Sequence, residues 1–396
     1  MLFFVLVGCN EIETNGDDCD VVSYSNSPKI DWFFSYGGSG EESHGHYILE
    51  CSDGGFLQVG ETVFSATNKK ILLVKVDSLG SLVWKREYTN GGNSFGNSIA
   101  EVSDGYFISG GENDNSLIIK VDKSNGNVVF KKTFDNGGAD SIEQIAFVED
   151  KIYAIGYVNS KDKYNSFFSE GQGVVSVLNM NGDFVKTIDL NSHMSHAYRI
   201  SFFENNLYIS GISDSAEDYS LIKMGLDENI VWSYKYGGAN QDHCFGMDIS
   251  NDGSVFLTGH TLSGTENWDT YTMRISSNGE QLWENKVGNP RGFNPGYIHD
   301  EAWGVRATND GGCIIVAGTG DEYDNYSAVC ENSGENSDTW SVYLVRYDVN
   351  GNIIWENTFG ANEEDWAGED LKITNNGDII IGVDNGQFGF LKTKGF

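Results

Sequence analysis

A short phrase recurs seven times along this chain: a turn pair, then an apolar run that closes on glycine. It reads Asp53-Gly54 before 56–60, Asp104-Gly105 before 106–110, Glu149-Asp150 before 152–156, and Asn205-Asn206 before 207–211. It continues as Asp252-Gly253 before 255–259, Asp310-Gly311 before 313–318, and Asn376-Gly377 before 379–382. Gly, Asn and Asp tolerate the positive φ that tight reversals need. The runs are strand-length and rich in β-branched and aromatic residues. The fullest copy is 242–288, with four apolar runs at 245–249, 255–259, 271–275 and 281–287. Asn251-Asp252-Gly253 separates the first two and Asn278-Gly279 the last two, so the unit reads as four antiparallel strands, a to d. Such a meander cannot bury both faces alone and needs neighbours like itself.

A second phrase, a turn followed by an apolar run with a large residue, marks the d strands around Trp84, Phe130, Val185, Trp232, Trp283 and Trp355. These tryptophans are expected to pack between repeats. One d-like run, 31–37 (DWFFSYG), stands at the front with no a, b or c strand before it. One c-like run, 387–392, stands at the end with no d strand after it. The two complete each other. Pairing them closes a ring and removes the exposed edges of an open stack. The expected fold is all-β: a seven-bladed β-propeller of four-stranded antiparallel blades, with an N-terminal strand pairing in the C-terminal blade. Its 396 residues would suffice for two or three ordinary domains,. The uniform repeat argues instead for one closed body over 29–396.

Tyr36-Gly37-Gly38, Lys75-Val76-Asp77 and Tyr236-Gly237-Gly238 resemble the Gly/Asp-rich repeats of secreted Bacteroidetes propeller lipoproteins. The resemblance covers nearly the whole chain after the leader. It implies the fold and says almost nothing about chemistry. The first nine residues, MLFFVLVGC, resemble a bacterial lipobox, which implies a signal peptide over 1–9 and lipidation of Cys9. A clipped ordinary signal peptide is the alternative. The run is too short to span a bilayer. Residues 10–28 are polar and read as a tether. Glu11 and Glu13 loosely resemble the surface-export signal of the same lipoproteins. The expectation is an extracytoplasmic monomer, held to the outer membrane or cell surface by its lipid alone.

The formal net charge of −33 suits a soluble surface in an extracellular or saline setting, or a cation-binding face,. No basic stripe is visible, so nucleic acid is not an expected partner. Removing Cys9 leaves five cysteines, which cannot all pair within one chain, and no CxxC spacing occurs,. A Cys244–Cys330 disulfide is one conceivable pairing.

In a four-stranded meander the a–b and c–d turns share one face of the disc, and the b–c loops and d–a crossings share the other. The first set is uniformly short. The second varies and holds all seven histidines: His44, His46, His193, His196, His243, His260 and His299. That face is where ligands are expected. The crossing into blade six is unusual, since two of the three prolines, Pro290 and Pro295, stiffen it,. It presents Arg291, Tyr297, His299, Asp300, Glu301 and Trp303; blade seven adds Asp365, Trp366, Glu369 and Asp370. With His193, His196 and Arg199 they suggest a cleft over blades four to seven.

Two chemistries suit this set. Flat aromatic faces flanked by carboxylates and arginine suit a glycan, and that is the leading reading. Alternatively, His243 and His260 with Tyr297 and Arg291 offer a base, an acid and a carboxylate clamp for β-elimination of a uronic-acid polysaccharide. The fold and residue types are similar to those of seven-bladed ulvan lyases, without a motif-level match. A protein-docking scaffold is the third reading. No cofactor is firmly implied. Zinc at His44-x-His46, at His193-x-x-His196 or beside His243-Cys244, or calcium at the acidic loops 321–322 and 363–365, stays open.

Overall fold

The structure, a computed structural model, describes Cys19 and residues 21–88, 92–161, 171–213, 217–331, 333–361 and 363–395. The expected leader with Cys9, and the remainder of the 10–20 stretch, lie outside the described residues. The described strands form seven four-stranded antiparallel sheets. Six are continuous in sequence: blade one at 42–88, two at 94–134, three at 139–189, four at 196–236, five at 242–287 and six at 298–359. Blade seven takes its inner three strands from 367–393 and its outer strand from Ile30–Tyr36. Phe34 lies opposite Phe390 and Trp32 opposite Lys392, so the two chain ends close the ring as the orphan runs require.

Neighbouring blades meet through their a strands, which surround the axis. The b and c strands, such as Val255–Thr261 and Asp269–Ile275, are buried almost throughout, whereas d strands alternate and face outward. The core lies between blades. Tyr208 and Leu221 of blade four, for example, pack with Leu257 and Met273 of blade five. Trp84 and Trp355 are buried in these seams, and Trp232 and Trp283 are packed against them.

The tyrosines that end several d strands, including those of the two Tyr-Gly-Gly phrases, have a common physical role. Tyr36 donates its hydroxyl to the carbonyl of Gly80, Tyr88 to Gly126 and Tyr236 to Gly279, each at 2.7–2.8 Å. Every one of these bonds ties a d strand to the c–d turn of the next blade. The acidic residue that opens strand a holds the crossing before it. Asp140, Asp242 and Asp300 accept the backbone N–H of Asn136, Gly238 and Asn289 at 2.6–2.7 Å.

The structure corrects one cysteine pairing. Cys330 bonds Cys19, with Cα atoms 5.4 Å apart, and Cys244 is a buried free thiol like Cys51 and Cys313. Cys244 sits in an inner strand whose side chain points into the blade-four seam, out of reach of the blade-six loop. The described end of the polar stretch is therefore docked on the disc. Val22 donates to the carbonyl of Pro290, and the carbonyl of Pro28 accepts from Asn357.

Candidate functional site: an axial cavity built from seven bulges

The a–b pair of every blade slips register near the same end, and blade three slips a second time between Ala139 and Ser141. At the slip common to all seven, the skipped residues are His46, Asn97, Glu143, Tyr198, Phe245, Trp303 and Glu369. Each is a β-bulge, an extra residue left without a partner and re-aimed by the local kink. All seven bulged side chains line a single cavity of about 470 Å³ on the ring axis. The bulge also accounts for the glycine that closes strand b. A Cβ on Gly60 would lie 1.8 Å from the carbonyl oxygen of His44, and one on Gly259 would lie 1.7 Å from that of His243. Only glycine lets the bulged strand approach so closely.

The wall of the cavity divides in two. Blades three to six supply Tyr157, His196, Tyr198, Phe245 and Trp303. His196 stacks flat on Tyr198 at 4.0 Å and lies 4.3 Å from Tyr157; Phe245 lies 4.4 Å from Trp303. Blades seven and one supply the ionisable half: Glu369, Asp384, His44, His46, Glu61 and Lys69. Asn97, Glu143 and Arg199 add polar and charged groups from blades two, three and four.

The charged half is strongly coupled. His46 Nε2 lies 2.6 Å from Glu61 Oε2, and Lys69 Nζ is 3.3 Å from the other oxygen. Burial of His46 works to expel its proton, but Glu61 outweighs it and lifts the imidazole to about 9. Burial likewise opposes the Glu61 charge, and His46 and Lys69 bring its carboxyl down to about 2. His44 Nδ1 lies 2.7 Å from Asp384, which raises its pKa against burial. Glu369 has no such partner: burial, then repulsion by Asp384, push its carboxyl to about 8. The cavity therefore holds, at neutral pH, a protonated Glu369 carboxyl and the His46–Glu61 imidazolium–carboxylate pair, with the His44–Asp384 pair beside them. Across from them His196 is buried, and neither of its ring nitrogens makes a hydrogen bond. Its Nε2 stands 3.4 Å from Glu143.

This candidate cavity is axial and lined from all seven blades, whereas the sequence pointed to a cleft over blades four to seven. Of the residues singled out in the sequence, His44, His46, His196, Arg199, Trp303 and Glu369 line the cavity. His243 and His260 do converge, Nδ1 to Nε2 at 3.2 Å, but both are buried behind Phe245 and Trp303. Burial holds His260 near 3 and lowers His243. Arg291 stands apart from them. It is buried in blade six, donating to the carbonyls of Asn336, Thr319 and Ser337, beside a separate cavity of about 250 Å³. Tyr297 stacks flat on Tyr326 at 4.3 Å. Trp366 is a seam residue stacked 3.9 Å from Phe33, and Asp365 accepts the backbone N–H of Trp340. His193 bonds Ser233, and Asp300 holds its crossing as above. His299 and Glu301 face each other 3.4 Å apart at the rim of blade six.

Sequence reasoning named His46, Trp303 and Glu369 separately but did not group the seven bulge residues as a set. Their signal was the strand-b glycine, which fixes where the opposite strand kinks.

No protein-family model and no curated protein matches the sequence. Solved propellers match in shape. The WD40 domain of Neurospora crassa Pan2 superposes with a TM-score of 0.57 at 11% identity, over 94% of this chain and 97% of that one. A catalytically inactive virginiamycin B lyase from Staphylococcus aureus, bound to quinupristin, gives 0.58 at 13% identity over 91% and 98%. At such identities the likeness is one of fold alone.

Proposed function

We propose that this protein is an extracytoplasmic, lipid-anchored binding propeller that takes a glycan unit into its axial cavity. The observation that carries the reading is the two-sided wall. A pyranose presents an apolar C–H face, which suits Trp303, Phe245 and Tyr198, and an edge of hydroxyls, which suits Glu369, His46 and Asn97. A cavity of about 470 Å³ has room for one or two sugar rings,. The Cys19–Cys330 bridge supports an oxidising compartment,. Lipidation of Cys9, a cell-surface or outer-membrane address and a monomeric state complete the proposal, and resemblance to the Bacteroidetes repeats supports them. A glycan array followed by calorimetry on the hits tests it. Saturable binding that Trp303→Ala weakens about 10- to 100-fold supports the reading; binding that ignores this substitution overturns it.

Polysaccharide lyase activity is the second reading, and one observation favours it: the unbonded imidazole of His196. With Tyr157, Tyr198 and Arg199 around it, a base, an acid and a carboxylate clamp stand in the cavity itself. The base would remove the proton α to the uronate carboxyl. The glycosidic C–O bond would then break as the C=C bond forms, and a tyrosine would protonate the leaving oxygen. Incubation with uronate polysaccharides, followed by ultraviolet absorbance of the unsaturated product, separates the readings.

A further inference from the structure

We infer a divalent metal site at the rim of blade six, formed by His299, Glu301 and Glu322. It lies outside the axial cavity and does not depend on what that cavity binds. His299 and Glu301 are two apart on strand Ile298–Ala307, so their side chains leave the same face,. Glu322 follows directly on the paired strand Cys313–Asp321, whose last residue lies opposite Ile298. One imidazole nitrogen and two carboxylate oxygens thus converge, all within 4.8 Å of one another.

The spacing is that of ligands rather than of hydrogen bonds. His299 Nδ1 is 3.4 Å from Glu301 Oε1 and 3.8 Å from Glu322 Oε2. In a tetrahedral site with bonds of about 2.0–2.1 Å, ligand atoms stand roughly 3.3 Å apart. His299 is 8% exposed, and its Nδ1 makes no hydrogen bond. A buried ring nitrogen left unbonded between two carboxylates is costly unless something occupies the gap. The far nitrogen, Nε2, faces the Tyr323 hydroxyl at 3.5 Å, which is the outer-shell contact that orients a ligating imidazole,. Two carboxylates balance the charge of a divalent ion. The mixed nitrogen and oxygen set favours zinc, manganese or iron(II) over calcium or magnesium, which prefer oxygen alone.

The test uses untagged protein dialysed against chelator and titrated with Co²⁺, read by visible absorption, and with Zn²⁺, read by calorimetry. One saturating equivalent is expected, and Ca²⁺ at about millimolar concentration should not displace it. His299→Ala and Glu301→Gln should each weaken binding by roughly tenfold or more. His193→Ala should leave it unchanged. Circular dichroism shows whether each variant is folded. Glu322, with its side chain 56% exposed, gives a further variant, Glu322→Gln, that spares the core. No saturable binding, or binding indifferent to all three substitutions, overturns the site. Because metal is titrated without glycan, this outcome is independent of the cavity's ligand.

Discussion

His46 Nε2 and Glu61 Oε2 meet 2.6 Å apart at the wall of the axial cavity, one on a bulge and the other just past the glycine that allows it. The pair ties stability to pH. The folded-state pKa of His46, about 9, lies above its ordinary 6.5. Its contribution is complete below 6.5 and is lost as pH rises through 9. Glu61 is depressed from 4.5 to about 2, so its contribution is present above 4.5 and is lost as pH falls through 2,. The melting temperature should therefore fall between pH 7 and 9 more steeply in the native protein than in His46→Gln. The His46 imidazole should titrate well above neutrality by NMR. A normal His46 titration would contradict the pairing.

Glu369 should act in the opposite sense from an ordinary surface carboxylate. Its carboxyl keeps its proton up to about 8 when folded, but loses it near 4.5 when unfolded. The folded state binds the extra proton across that window, so stability declines as pH rises through it. Glu369→Gln mimics the protonated form. It should flatten the pH 5–8 slope and raise the melting temperature at pH 8, as calorimetric scans would show. An unchanged slope would mean the group is ionised at neutral pH.

The strand-b glycines make the bulge testable. In Gly60→Ala the new Cβ would run into the His44 carbonyl, so strand a must move or the blade must open. The expected cost is about 3 kcal/mol by urea unfolding, at the upper end for overpacking. His46 should lose its elevated pKa at the same time. Gly54→Ala is the control: no atom lies within 4 Å of the added carbon, and only its φ of +79° resists the change, so His46 should be unaffected.

The same glycines mark what the sequence could convey. The blade count and the ring closure were legible because turns, strand-b glycines and d-strand aromatics repeat in register. The cavity residues were not, because a bulge position carries no shared residue type: His, Asn, Glu, Tyr, Phe, Trp and Glu fill it in turn. The strand-a glycines mislead as landmarks. They precede the bulge at Gly45, Gly96 and Gly368 but follow it at Gly246 and Gly304. Histidine position along the chain points to one end of the strands and no further. Whether a side chain reaches the axis, as with His46, or is buried behind the wall, as with His260, is set by that single extra residue. Arg291 illustrates a different limit: a Pro-stiffened crossing is rigid whether its arginine meets a ligand or, as here, its own backbone carbonyls.

The Cys19–Cys330 bridge predicts a thiol count. Denatured, unreduced protein lacking Cys9 should titrate three thiols, those of Cys51, Cys244 and Cys313. The folded protein should react slowly, because all three are buried and burial raises their pKa values,. Peptide mapping without reduction should recover the segment around Cys19 joined to that around Cys330. A count of five would exclude the bridge.

The two readings of the cavity part at His196. If the cavity only binds, its aromatic half does most of the holding. Trp303→Ala should then weaken glycan affinity by about 10- to 100-fold, the range of one lost stacking contact, while His196→Ala, which keeps Tyr198 and Phe245 in place, should weaken it less. Tryptophan fluorescence should change on binding in the native protein and not in Trp303→Ala. If the cavity eliminates, the order reverses. His196→Ala should abolish product formation, with roughly 10²–10⁴-fold loss of turnover expected for a missing general base, and substrate should still bind. Tyr198, whose pKa burial raises well above the ordinary value, would keep its phenol protonated and able to serve the leaving oxygen. Tyr198→Phe should then fail in turnover while holding affinity, a split that simple binding has no means to produce.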